Sequence, residues 1–142
     1  MKNVERRMQL TPIGIIHSPF QTHEEAPHQG RFSEEECTIE ISEQFSEGLQ
    51  DIEYSQFLIV LYWLDRADRT ALKAIPPHDP CQQERGVFAT RSPNRPNPIG
   101  IGVVKFLHRD GSKLVVKGID ALDGTPLLDI KPYSAGIDCI KD

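Results

Sequence analysis

Residues 99–119 read IGIGVVKFLHRDGSKLVVKGI. Two apolar runs, 99–108 and 113–119, flank Arg109-Asp110-Gly111-Ser112. Asp-Gly between apolar runs is the strongest short-range signal for a β-hairpin, because glycine takes positive φ without steric cost. A chain that spends 21 residues on one hairpin commits its core to sheet, and the flanking segments agree.

Upstream, 57–64 (FLIVLYWL) is continuously apolar and reads as a strand buried on both faces. Residues 37–41 (CTIEI) alternate as a half-buried strand does. Residues 10–17 (LTPIGIIH) suit a first or edge strand with Pro12 near its start. Residues 86–89 form a short strand candidate, and 44–51 a short helix weakened by Gly48. Residues 65–75 are a helical turn or loop ended by Pro76-Pro77. Downstream, Asp123-Gly124 makes a second tight turn into a last strand, 127–130, after which Lys131-Pro132-Tyr133 leaves the sheet. Long polar loops span 18–36 and 76–85; loops of such length in compact domains are usually functional. Six or seven short strands with little helix predict a mainly β fold, a small single-domain β-barrel over residues 1–142 with short helices, long loops and a loose start at 1–9.

Composition narrows the partners. The chain has 142 residues, 38% apolar and 26% charged, with a net charge of −5. That length is one domain by expectation. The acidic balance argues against coating nucleic acid by charge alone, while leaving room for a local basic patch. No run approaches the roughly 20 apolar residues of a membrane span, and MKNVERRMQL has no apolar core of a signal peptide. Cys37, Cys81 and Cys139, odd in number and far apart, read as reduced thiols of a cytoplasmic protein. His78 and Cys81, and His23 and His28, fall short of a closed four-ligand zinc pattern, so no metal is expected. Gly100-x-Gly102 lies inside a strand pattern with no helix after it, so it is not a dinucleotide fingerprint. Tyr62 and Trp63 read as core.

The segment that turn chemistry does not explain is 86–100, GVFATRSPNRPNPIG. Pro93, Pro96 and Pro98 fix three φ angles and push Ser92, Arg95 and Asn97 to extended conformations. A stiff loop loses little entropy on binding. Arg91 and Arg95 offer planar forks to carboxylate or phosphate, and Asn94 and Asn97 offer amide pairs. The alternative is that both arginines cap carbonyls or pair with acidic residues.

This segment resembles the signature of the TsaA-like family, whose characterised members are TrmO-type tRNA methyltransferases acting on adenine N6. TPIGIIHSPF (11–20), SQFLIVLYW (55–63) and DALDGTPLLDIKPY (120–133) match the family's other motifs in order. The resemblance implies a small β-barrel that binds S-adenosylmethionine, tends to form homodimers, and methylates threonylcarbamoyl-adenosine at position 37 beside the tRNA anticodon. Carried over by position, the cofactor site draws on Pro27, His28, Gln29, Leu64, Asp65, Arg66, Arg91, Ile101, Leu122, Asp123, Gly124 and Thr125. Asp123 has a plain turn role as its rival. Tyr133 and Asp123 are the candidates for handling the substrate proton; Arg85, Arg95, Asn97 and Lys131 are the candidate contacts to the anticodon loop or its amino-acid adduct. Two other functions fit the same resemblance: methylation of a non-tRNA substrate, and a binding module without catalysis.

Overall fold

In a computed structural model, which describes residues 6–22, 24–26, 33–77 and 79–141, the 99–119 stretch is the expected hairpin. Strand β6 runs Ile99–Asp110 and β7 Lys113–Lys117, joined at Asp110↔Lys113 with Gly111 at φ 62°. The remaining barrel strands are β1 (Gly14–His17), β2 (Glu36–Ile41), β3 (Phe57–Trp63) and β8 (Thr125–Pro132). They close in the order β1-β2-β7-β6-β3-β8, every pair antiparallel. Closure leaves no unpaired edge among these strands. Between β3 and β6, β4 (Lys73–Ala74) and β5 (Arg85–Gly86) form a two-stranded ladder outside the barrel.

The interior is one apolar cluster. Ile16, Ile39, Leu58, Val60, Leu114, Val116 and Leu127 are essentially sealed from solvent. Each side chain of this size contributes about 1.5–3 kcal/mol by leaving water. Leu49 plugs one end from a 3₁₀ segment, Glu43–Leu49.

Five expectations need correction. The β3 strand is buried on its inner face only: Leu58, Val60 and Tyr62 point in, while Phe57, Ile59, Leu61 and Trp63 lie on the outside. An antiparallel barrel has a single core, so the continuous apolar run gives the outer face an apolar surface instead of a second core. The short helix expected at 44–51 is a 3₁₀ helix with shifted bounds, Glu43–Leu49, as the weak propensity at Gly48 allows. Residues 87–89 are also 3₁₀, and only Arg85–Gly86 is strand. The first strand starts at Gly14, after Pro12. Finally, β8 extends through Lys131 and Pro132, which pair with Ile59 and Leu58; Tyr133 is the first residue to leave the ladder, and Ala135–Asp138 then makes one helical turn, α1. The three thiols are free; Cys37 is buried, and Cys81 and Cys139 are exposed.

Candidate functional site

The G-x-G at 100–102 has a packing purpose. Gly100 pairs with Tyr62 across β3 and β6, and any Cβ at Gly100 would run into the Tyr62 ring. The missing side chain lets the phenol lie flat against β6. Its hydroxyl then reaches Asp120 and donates to Oδ1. Asp120 follows the Gly118-Ile119 exit from β7 and lines an open cleft of about 1630 Å³ beside the barrel. Burial pushes its carboxyl above the ordinary range; the Tyr62 hydrogen bond and the nearby Arg91 charge pull the other way. Tyr62 itself is pushed up, first by burial and then by the Asp120 charge.

The 86–100 loop forms one wall of this cleft, and its two arginines part company. Arg95 turns inward: Nε donates to the Ser92 carbonyl at 2.7 Å, and Nη2 donates to the carbonyls of Val87 at 2.7 Å and Thr90 at 2.6 Å. Prolines cannot donate, so loop carbonyls need donors from elsewhere, and Arg95 supplies them. Arg91 lines the cleft and, among the described residues, makes no side-chain hydrogen bond or ion pair. The asparagines also serve the loop. Asn94 Oδ1 accepts from the Asp68 amide at 2.9 Å, and Asn97 Oδ1 accepts from Arg69 Nη2 at 3.4 Å. Arg69 further donates to the Pro96 carbonyl at 2.8 Å and lies 5.2 Å from the Trp63 ring centroid. The loop is thus stitched to the segment after β3, and Leu64 N donates to the Pro98 carbonyl at 2.8 Å.

The turn 120–125 divides its carboxylates in the same way. Asp123 Oδ1 accepts from the Ser18 amide at 3.0 Å, and its own amide donates to the Phe20 carbonyl at 2.7 Å. Gly124 N donates to the Ile16 carbonyl at 2.8 Å, and Thr125 Oγ1 donates to the Leu122 carbonyl at 2.6 Å. Asp123 and Gly124 therefore anchor the first loop and do not line the cleft, whereas Leu122 and Thr125 do.

Of the remaining sequence-predicted residues, Leu64, Asp65, Arg66, Ile101, Arg85, Arg95 and Tyr133 all line the cleft. Arg66 Nη1 donates to the Gln21 carbonyl at 3.2 Å, tying the first loop over it. Tyr133 packs edge-on against Phe57 with centroids 6.4 Å apart. Asn97 and Lys131 stand away from the lining; Lys131 is held in the β8 ladder opposite Ile59. Pro27, His28 and Gln29, with His23 and His78, lie outside the described residues. Sequence reasoning missed Asp120 and Tyr62. Both stood inside quoted motifs, and the signal was the pairing of an aromatic-rich strand with a strand carrying G-x-G.

Arg91 and Asp120, opposite charges on one cleft, suit a zwitterionic amino-acid end. Leu64, Ile101 and Leu122 supply apolar walls for a flat ring. The residues present therefore fit an amino-acid-bearing nucleoside.

Comparisons with known proteins point the same way. The sequence profile described as tRNA-methyltransferase O N-terminal domain matches residues 15–139. A probable S-adenosyl-L-methionine-binding protein of Archaeoglobus fulgidus is 61% identical over 133 residues, which are 94% of this chain and 36% of that protein. An S-adenosyl-L-methionine-binding protein of the same organism is 50% identical over 94% of this chain and 95% of its own length. The crystal structure of TrmO from Pseudomonas aeruginosa superposes with a TM-score of 0.81 at 33% identity, covering 99% of this chain and 61% of that one. The chain thus spans about a third of the first relative and three-fifths of the solved structure.

Proposed function

From the premise that this chain belongs to the tRNA-methyltransferase O N-terminal-domain family, we propose that it binds S-adenosylmethionine in the cleft and transfers the methyl group to N6 of threonylcarbamoyl-adenosine at position 37 of tRNA, in the cytoplasm. The observation that carries the reading is the placement of Arg91 and Asp120 on one cleft with apolar walls.

Arg91 holds the methionyl carboxylate through a charge-assisted fork. Asp120, fixed by Tyr62, faces the ammonium. Leu64, Ile101 and Leu122 flank the adenine; Pro27, His28 and Gln29 are the further contacts that the family resemblance implies. When bound, the cofactor supplies an electrophilic methyl group on a sulfonium. The chain's own contribution is placement, which can supply about 7–11 kcal/mol of a barrier. Tyr133, at the cleft wall, stacks against the incoming base or relays its proton. The anticodon loop is single-stranded, so Arg and aromatic contacts read it without opening a duplex.

A second copy of the chain completes the picture. Ile99, Ile101, Val103 and Phe57 are each at least 40% exposed. Register places Ile99 beside Trp63, Ile101 beside Leu61 and Val103 beside Ile59 on the outside of the barrel. A contiguous apolar strip of this kind marks an interaction surface, and it borders the cleft, so a homodimer would shelter the site.

A second reading has a specific observation behind it. A relative that this chain covers over 95% of its length is named for binding, and the TrmO structure is longer. On that reading the chain binds the same cofactor but acts on a non-tRNA substrate or on none. Incubation with tRNA from cells lacking the methylated nucleoside, followed by mass spectrometry of nucleosides, separates them. A mass gain equal to one methyl group replacing a hydrogen on threonylcarbamoyl-adenosine is expected; an unchanged profile with retained cofactor binding rejects the tRNA assignment.

A further inference from the structure

The cleft is larger than one cofactor needs. Sites for drug-sized ligands run to about 300–1,000 Å³, against about 1630 Å³ here. Part of its lining, Ile75, Pro76, Pro77, Asp79 and Arg85, comes from the β4–β5 excursion. That excursion carries Asp79, whose side chain is 10% exposed and lines the cleft. Its Oδ1 accepts from the Cys81 amide at 2.9 Å, and its carbonyl accepts from Gln82 Nε2 at 3.1 Å. Its Oδ2 is buried and has no hydrogen-bond partner among the described residues. Its ion-pair partner among the described residues is Arg85 Nε at 3.8 Å, beyond hydrogen-bond length. A buried carboxylate oxygen left unpaired costs about 1–3 kcal/mol or more, and native structures keep few such atoms without a use.

Chemistry narrows the occupant. Asp79 Oδ2 needs a donor, an N–H or O–H. Arg85, about half exposed on the same wall, offers a cationic fork for an anion. The two side by side suit a group in which an N–H or O–H stands next to a carboxylate. A bare base has no carboxylate, and the phosphodiester of an RNA backbone carries its negative charge with neither N–H nor O–H. An amino acid joined to a base through an amide or urea has both.

We propose that Asp79 and Arg85 form a second subsite of the cleft that reads an acylamino-acid adduct on the substrate base, Asp79 accepting from the adduct's N–H or O–H and Arg85 holding its carboxylate. This rests on the reading that the substrate is an adenine bearing such an adduct, and it assigns specificity for the adduct to the β4–β5 excursion rather than to the 86–100 loop. It also gives Asp79, which sequence reading passed over as a loop residue, a positioning role.

The test measures binding without turnover. Protein saturated with S-adenosylhomocysteine is titrated into fluorescent anticodon stem-loop RNAs carrying either threonylcarbamoyl-adenine or plain adenine. The wild type is expected to prefer the modified RNA by about tenfold or more, the worth of one charge-assisted hydrogen bond. Asp79→Asn, isosteric and neutral, should remove most of that preference, and Arg85→Gln should remove it as well. Both variants should keep the S-adenosylhomocysteine affinity, and Asp79→Asn the affinity for plain RNA. If the wild type shows no preference, the adduct-bearing substrate is wrong and the subsite falls with it. If the wild type prefers the modified RNA and both variants do too, the subsite alone is overturned. Loss of S-adenosylhomocysteine binding in both variants would place the pair in the cofactor half and also overturn it.

Discussion

The loop 86–100 and the turn 120–125 solve the same problem with opposite charges. Each carries two residues of one type within four positions of each other: Arg91 and Arg95, Asp120 and Asp123. In each, the later residue spends its polar atoms on backbone elsewhere in the loops, while the earlier one lines the cleft without doing so; Arg95 borders the cleft as well, but with its guanidinium committed to carbonyls. Arg95 meets three carbonyls of a proline-stiffened loop, and Asp123 meets the Ser18 amide of the incoming chain. Among the described residues Arg91 makes no side-chain hydrogen bond, and Asp120 is met by the Tyr62 hydroxyl and by its own backbone amide, with no hydrogen bond to another segment's backbone. Residue type therefore does not set the role. The supply of unpaired backbone groups nearby does, because a buried donor or acceptor without a partner costs more than a surface charge gains.

The sharpest test of this contrast is to truncate both arginines. Arg91→Ala should lower S-adenosylmethionine affinity about 100-fold, the scale of losing a charge-assisted fork, with the melting temperature nearly unchanged. Arg95→Ala should do the reverse, lowering stability by about 2 kcal/mol because it strands loop carbonyls. Calorimetric titration and thermal melts of both variants decide it. Equal losses of affinity in the two would erase the division.

The carboxylates offer the next test, with a pH signature. Asp120 has its folded pKa raised by burial. A raised acid binds its proton more tightly when folded, so its stabilising share is complete below the unfolded carboxylate pKa and is lost as pH rises through the folded value. Asp120→Asn keeps an acceptor for Tyr62 and carries no charge. At neutral pH it should melt at or above the wild-type temperature, with the gap closing toward acid, while cofactor affinity falls about tenfold. A gap that widens toward acid would reverse the assignment. Asp123→Ala should give the opposite pattern, with about 1 kcal/mol of stability lost along with the Ser18 contact.

The smallest effect concerns the thiols. Burial pushes Cys37 up to about 11, and the residue is 2% exposed. Iodoacetamide at neutral pH should label Cys81 and Cys139 within minutes and leave Cys37 unmodified until the barrel unfolds. Peptide mass mapping reads all three; early labelling of Cys37 would mean that the β2–β7 seam opens.

Much of the fold was legible because strand signals are local. The 99–119 hairpin, the 37–41 strand and the second Asp-Gly turn each announce themselves within a dozen residues, through alternation or a positive-φ glycine. The errors share a cause. For 57–63 an apolar run was read as burial on both faces, yet an outer barrel face beside a cleft, and a patch suited to a second copy, can be apolar too. The site was legible at the level of segments. Leu64, Asp65, Arg66, Arg91, Ile101, Leu122 and Thr125 do converge, although they come from four separate stretches. The contributions of Asp120, Tyr62 and Asp79 were not legible, because each depends on a contact with a residue distant in the chain or on the lack of one.

From the chain alone came the sheet-forming segments, their turns and the proline-stiffened loop, since propensity, period and φ preference act over a few residues. The closed six-strand order, the glycine gap that lets Tyr62 reach Asp120, which arginine is committed to loop carbonyls and which aspartate lines the cleft were decided only by the tertiary structure. A side chain's partner is set by which backbone groups remain unpaired around it, and that is known only once the strands have closed.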